Sequence, residues 1–234
     1  WGMAISRSLI DGDRIYLAQP DNRRLIALSA TSLQGEADDR GVTTVFSDLS
    51  VGEIAVTTDL VAASDGHTLH LADKDNPTQR GVVELPHGED VISLVGYGKS
   101  VYASTTNRRL YRIQPGVLPI NEFEVSVESI IDGASQVMNN LVVNGDDLFF
   151  NAGTTIHKLD LRTFNGQSVS LPGSVNVSAL AYESGTLWVA HRTTDRSELR
   201  AIDVREWPRV LDIDLELGVR ATSLAADQGL LAVG

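Results

Sequence analysis

The chain is organised by a polar turn followed by four apolar or small residues, and this unit occurs six times. The turns Asp11–Arg14, Thr58-Asp59, Gly98–Ser100, Asn144–Asp147, Glu183–Thr186 and Asp227–Gly229 introduce runs that begin at residues 15, 60, 101, 148, 187 and 230. The spacings are 45, 41, 47, 39 and 43, with a mean of 43, a period belonging to propeller blades. No window keeps the i, i+3, i+4, i+7 apolar spacing of a helix, whereas the DG, NG, SG and QG turns are hairpin signals.

Three further strands accompany each complete unit. Third strands begin at Leu25, Leu69, Leu110, Ile156 and Leu199 and read apolar-x-x-apolar. Several close on an acid, as in Leu159-Asp160 and Ile202-Asp203, with Ala72-Asp73 a weaker copy. The tetrad Asn22-Arg23-Arg24-Leu25 returns as Asn107-Arg108-Arg109-Leu110. Fourth strands fall at 42–46, 82–85, 123–127, 169–171 and 210–215. First strands fall at 4–10, 54–57, 92–95, 140–143, 178–182 and 222–225, where small residues suit a crowded centre.

The expected fold is all-β: a β-propeller with four-stranded antiparallel blades near 4–49, 52–86, 91–130, 140–172 and 177–216, and half a blade at 221–234. A sandwich has similar turn density but no reason to repeat at this period. The chain opens on Trp1-Gly2-Met3 and stops on the apolar run Leu230–Gly234. The expectation is one propeller segment of a longer protein, whose remaining strands close a ring of six to eight blades.

Composition narrows the function. With 31 acidic and 19 basic residues in 234, the net charge of −12 disfavours a nucleic-acid partner. No apolar stretch is long enough to span a membrane. The absence of Cys removes thiol catalysis, disulfides and Cys-ligated zinc. There is no G-x-S-x-G elbow, and Gly96-Tyr97-Gly98-Lys99-Ser100 lacks the spacer and helix of a phosphate loop.

Metal sites are weighed because propellers can gather ligands from several blades. His67, His87 and His191 are expected on one rim, and His70 and His157 at matching places in third strands. Asp73-Lys74-Asp75-Asn76 alternates oxygen ligands as a calcium loop does, but lacks its Gly and bidentate acid, so an Asx turn is expected there. Asp38-Asp39, Glu89-Asp90 and Asp146-Asp147 read as solvated turn acids. The 16 Arg against three Lys suggest ion pairing within the fold. No cofactor is expected, calcium or another divalent metal being the one weighed.

The units resemble bacterial LVIVD-type repeats. The second matches best, from Asp65-Gly66 through Leu69-His70-Leu71-Ala72-Asp73 to the Asn76-Pro77 turn. Elsewhere Phe164-Asn165-Gly166 and Trp207-Pro208 stand in for Asn-Pro, while Ser184-Gly185-Thr186-Leu187-Trp188-Val189-Ala190 is similar to strands of lactonase-like and NHL-type propellers. The LVIVD resemblance implies a surface or secreted scaffold with no catalytic residues to carry over.

The expected function is therefore a non-enzymatic scaffold or binding module of a larger extracellular or cell-surface protein. Loops joining second to third strands, and blade to blade, emerge on one face of a propeller. Arg23, Arg24, His67, His87, Arg108, Arg109, His191 and Arg192 are expected to form a basic rim there, for a protein or anionic glycan partner. The alternative is a hydrolase or lactonase with a channel-mouth metal held by acids and amides such as Glu53, Glu89, Asn139, Asn176 and Glu216.

Overall fold

The computed structural model describes residues 5, 7–29, 41–115, 125–217, 220–227 and 229–234, in two compact units, Trp1–Gly133 and Ala134–Gly234. In the first unit, β1 (Arg7–Asp11), β2 (Arg14–Gln19), β3 (Arg24–Ser29) and β4 (Val42–Phe46) form one antiparallel sheet in chain order. A second contains β5 (Ile54–Val56), β6 (Leu60–Asp65), β7 (Thr68–Asp73) and β8 (Arg80–Glu84), and a third β9 (Val91–Tyr97), β10 (Ser100–Thr105), β11 (Leu110–Pro115) and β12 (Val125–Ile131).

The second unit continues the pattern with β13 (Met138–Asn144), β14 (Asp147–Ala152), β15 (Thr155–Asp160) and β16 (Gly166–Ser170). Next come β17 (Asn176–Glu183), β18 (Thr186–Arg192), β19 (Ser197–Asp203) and β20 (Arg209–Leu217), and then a two-stranded sheet of β21 (Leu224–Asp227) and β22 (Leu230–Val233). Among the described residues there is no α-helix, and 3-10 turns occur at Pro20–Asn22 and Pro86–Gly88. The fold is a β-propeller, and the described residues form five four-stranded blades and two strands of a sixth. Asp38-Asp39 and the predicted residues 4, 6, 123 and 124 lie outside the described residues.

Burial explains the unbroken apolar runs. In β6, Val61 and Ala63 join a core shared with the first blade, and Ala62 joins one shared with the third. In β18, Leu187 and Val189 face a core shared with β13–β16, while Trp188 and Ala190 face the one shared with the sixth. A strand buried on both faces has no polar side, so period-2 alternation is hidden. It reappears in outer strands such as β8, whose burial alternates with exposure.

First strands of adjacent blades approach closely. A Cβ at Gly96 in β9 would stand 1.9 Å from the Val56 carbonyl oxygen at the end of β5. The acids that close third strands have a local cause. Asp73 Oδ1 accepts the N–H groups of Asp75 (2.9 Å) and Asn76 (2.7 Å), Asp160 Oδ1 those of Arg162 (2.8 Å) and Thr163 (2.9 Å), and Asp203 Oδ1 that of Arg205 (2.9 Å). Each is an Asx turn that ends the strand and starts the reversal. At Asp160 these backbone donors hold the carboxyl below its ordinary pKa.

Candidate functional site

The apolar second strands carry a buried polar residue at their last or penultimate position, at the end of each blade where its first strand begins. These are Gln19, Ser64, Thr105, Asn151 and His191, none more than 2% exposed. Buried polar atoms need partners, and the adjoining turns supply them. Gln19 Oε1 accepts Arg24 Nε–H at 2.6 Å, and Ser64 Oγ accepts the Glu53 N–H at 2.8 Å. Asn151 Oδ1 accepts an N–H from Asn140 at 2.8 Å.

The most developed cluster surrounds Glu89, whose side chain is fully buried. Its carboxylate accepts Thr105 Oγ1–H at 2.6 Å and Tyr111 O–H at 3.2 Å and is ion-paired with Arg109, which also reaches Asp132 at 2.6 Å. Burial alone would push the Glu89 carboxyl up, but the Thr105 hydroxyl and Arg109 guanidinium outweigh it and hold its pKa below the ordinary range. Burial thus overturns the expectation that Glu89 is a solvated turn acid. Asp90 is exposed, and Asp146 and Asp147 pair with Arg162 (2.9 Å) and Lys158 (2.8 Å).

In the first unit, hydrogen bonds stitch successive turns together. Leu49 N–H donates to Arg23 O (2.8 Å), Leu85 N–H to His67 O (3.0 Å), Val91 N–H to Gly66 O (3.0 Å) and Thr106 N–H to Asp90 O (2.9 Å). Ser50 N–H donates to Asp65 Oδ2 at 3.4 Å. Arg23, His67, His87 and Arg108 are exposed along this edge. Arg23 and Arg108 share left-handed backbone angles, φ 48° and 62°, which turn them outward while Arg24 and Arg109 reach back to Gln19 and Glu89.

The edge is not the basic rim expected, because Asp21, Asp48, Asp90 and Asp132 are exposed among the arginines. In the second unit Arg192 is exposed, but His191 is 1% exposed, with Nε2 3.5 Å from Glu198 Oε2. His191 therefore presents no surface to a partner. Pairing along the strands explains this, since His191 lies opposite Glu198 in the register of β18 and β19.

The carboxylates weighed as channel-mouth ligands are matched by guanidiniums. Glu53 meets Arg7 at 2.6 Å, Glu89 meets Arg109, and Glu216 meets Arg196 at 3.1 Å. No group of three or more His, Asp or Glu that could hold a metal ion exists among the described residues. At Asp73–Asn76, Lys74 Nζ reaches Asp11 at 2.5 Å and Asp75 meets Arg14 at 3.3 Å. These pairs lie by a cavity of about 310 Å³ that Tyr16, Ser29 and Pro77 also line.

Asn139 and Asn176 have a different setting. With Asn140, Asn151, Ser178 and Arg220 they line a cleft of about 390 Å³ within the second unit. Two irregularities build it. The β13–β14 register slips between Asn139 and Val142, and the β17–β18 register between Val177 and Ala179, so Asn140 and Ser178 are turned out of their ladders into the cleft wall. Sequence reading singled out Asn139 and Asn176 alone; a polar residue ending an apolar run was a signal for Asn151, and Arg220 had none.

No protein-family model and no curated protein matches the chain. Solved structures do match in fold. A chain of the crystal structure of the mitotic checkpoint complex aligns over 99% of this chain and 72% of its own length, with TM-score 0.69 and 12% identity. The structure of apo AztD from Citrobacter koseri aligns over 96% of this chain and 74% of its own, with TM-score 0.64 and 12% identity. At this identity the likeness is one of propeller fold.

Proposed function

We propose that the chain is a non-enzymatic propeller scaffold of the LVIVD-repeat kind, part of a secreted or cell-surface bacterial protein. It offers the blade ends built from the second-to-third-strand turns and inter-blade loops to a protein or anionic glycan. The observation that carries this reading is that Glu53, Glu89 and Glu216, the acids a channel-mouth metal would need, are each engaged by an arginine. The buried Glu89 carboxylate is the most committed of the three, paired with Arg109 and accepting from Thr105 and Tyr111. The repeat assignment is supported by Asp73 capping the turn that contains Asn76-Pro77. The interleaved acids and arginines of the first unit suit a protein surface of complementary mixed charge.

The test pairs two assays. Hydrolysis of lactones and phosphotriesters is followed with calcium, manganese or zinc added, and binding is measured on arrays of acidic and neutral glycans and of secreted proteins. Binding without turnover, weakened by the double replacement Arg23→Ser and Arg108→Ser and by salt, is the expected result. Metal-dependent turnover abolished by Glu53→Gln would overturn it in favour of the hydrolase.

A further inference from the structure

We propose that the cleft of the second unit binds a sugar acid, a ring bearing one carboxylate and adjacent hydroxyls; this rests on reading the first-strand end of the blades as a binding face. Elsewhere at these blade ends buried polar groups such as Gln19 and Glu89 are engaged by Arg24, Arg109 and Thr105, whereas those of the cleft are partly unspent. Arg220 is exposed, and neither its guanidinium nor the Asn176 amide has a hydrogen bond or ion pair among the described residues. The Asn139 amide donates to Val137 O at 3.2 Å, which leaves its carbonyl oxygen open. Ser178 Oγ donates to Ala190 O at 3.3 Å and keeps its lone pairs.

The donor set selects the ligand. A hydroxyl both donates and accepts, and an amide offers both functions within one planar group, so several amides facing one space match adjacent hydroxyls. A single unpaired guanidinium forks onto one carboxylate. Among the described residues no Asp or Glu lines the cleft to repel that carboxylate, and no aromatic side chain in the wall offers a base to stack on. The volume, about 390 Å³, lies within the range of small-ligand sites.

The cleft is also held in shape. Asn140 takes a left-handed φ of 54° and donates to Asn151, which is 2% exposed and itself donates to Gly153 O at 3.1 Å. The back wall is thus fixed by internal bonds, and the free groups stand at its mouth. A pre-formed wall lowers the ordering cost of binding a small ligand.

The test is an NMR titration of the isotope-labelled protein with sodium galacturonate, galactose and sodium gluconate, following asparagine side-chain amides. Galacturonate is expected to shift cleft amides and to bind at least about tenfold more tightly than galactose, which is about 1.4 kcal/mol. Arg220→Gln should remove that preference and leave galactose unchanged, while Asn176→Ala weakens both sugars. Both positions are exposed, so an unchanged spectrum away from the cleft verifies the fold. Failure of galacturonate to bind, equal binding by Arg220→Gln, or equally tight gluconate would overturn the inference. If galacturonate binding were lost instead in the Arg23→Ser, Arg108→Ser protein, the cleft would be refuted while the binding-module reading survived.

Discussion

Replacing Gly96 by Ala tests how closely the first strands of neighbouring blades pack. The added Cβ would lie 1.9 Å from Val56 O, 2.5 Å from its carbonyl carbon and 3.0 Å from Thr57 N, all backbone atoms that no rotamer change can move. Ordinary heavy-atom contact lies near ~3.5 Å, so β5 and β9 must part by about 1.5 Å. That movement strains two bonds holding them together, from Thr58 N–H (2.8 Å) and Thr58 Oγ1–H (2.9 Å) to Gly98 O. Overpacking costs about 1–3 kcal/mol and each lost hydrogen bond about 1 kcal/mol, so a destabilisation of about 3 kcal/mol is expected. For a chain of this size that lowers Tm by about 6–12 °C, read by scanning calorimetry and by urea midpoints. Gly98→Ala is the control. Gly98 has a φ of 57° and no atom within 4 Å of a built Cβ, so it bears only the left-handed penalty of about 1–2 kcal/mol. Equal stability of Gly96→Ala and the parent, or a smaller loss than in Gly98→Ala, would refute the close approach.

Other consequences can be measured on the same samples. Glu89→Ala leaves Thr105 and Tyr111 without their acceptor and is expected to cost about 2–3 kcal/mol in urea unfolding; a loss below about 0.5 kcal/mol would show the cluster to be ornamental. Because the folded Glu89 carboxyl sits below its ordinary value of 4.5, its contribution is complete above that pH and disappears as pH falls through the lower folded value. The stability gap between the parent and Glu89→Gln should therefore narrow on acidification, and a gap that widened would reverse the assigned sign. Asp73→Ala removes the acceptor of two turn N–H groups and should lower stability by about 1 kcal/mol, with calcium leaving the Tm of the parent unchanged. A calcium-dependent rise lost in Asp73→Ala would make the turn an ion site.

The blades were legible in the amino-acid sequence because their cause is local and repeated. Turn residues such as Asn144-Gly145-Asp146 reverse the chain, and an apolar run of four residues after each can be satisfied only by burial between two neighbours. The acids closing third strands were visible as letters, and their role as Asx caps acts over two or three residues. The fate of the polar side chains was not legible, since it depends on contacts between distant positions. Asn22-Arg23-Arg24 and Asn107-Arg108-Arg109 are identical in sequence, yet Arg24 meets a neutral Gln19 while Arg109 neutralises a buried Glu89 twenty residues before it. His191 looked like a rim residue until strand pairing set it beside Glu198. The cleft joins Asn139, Asn176 and Arg220, which are separated in sequence and brought together only because two register slips and the packing of successive blades turn their side chains toward one space.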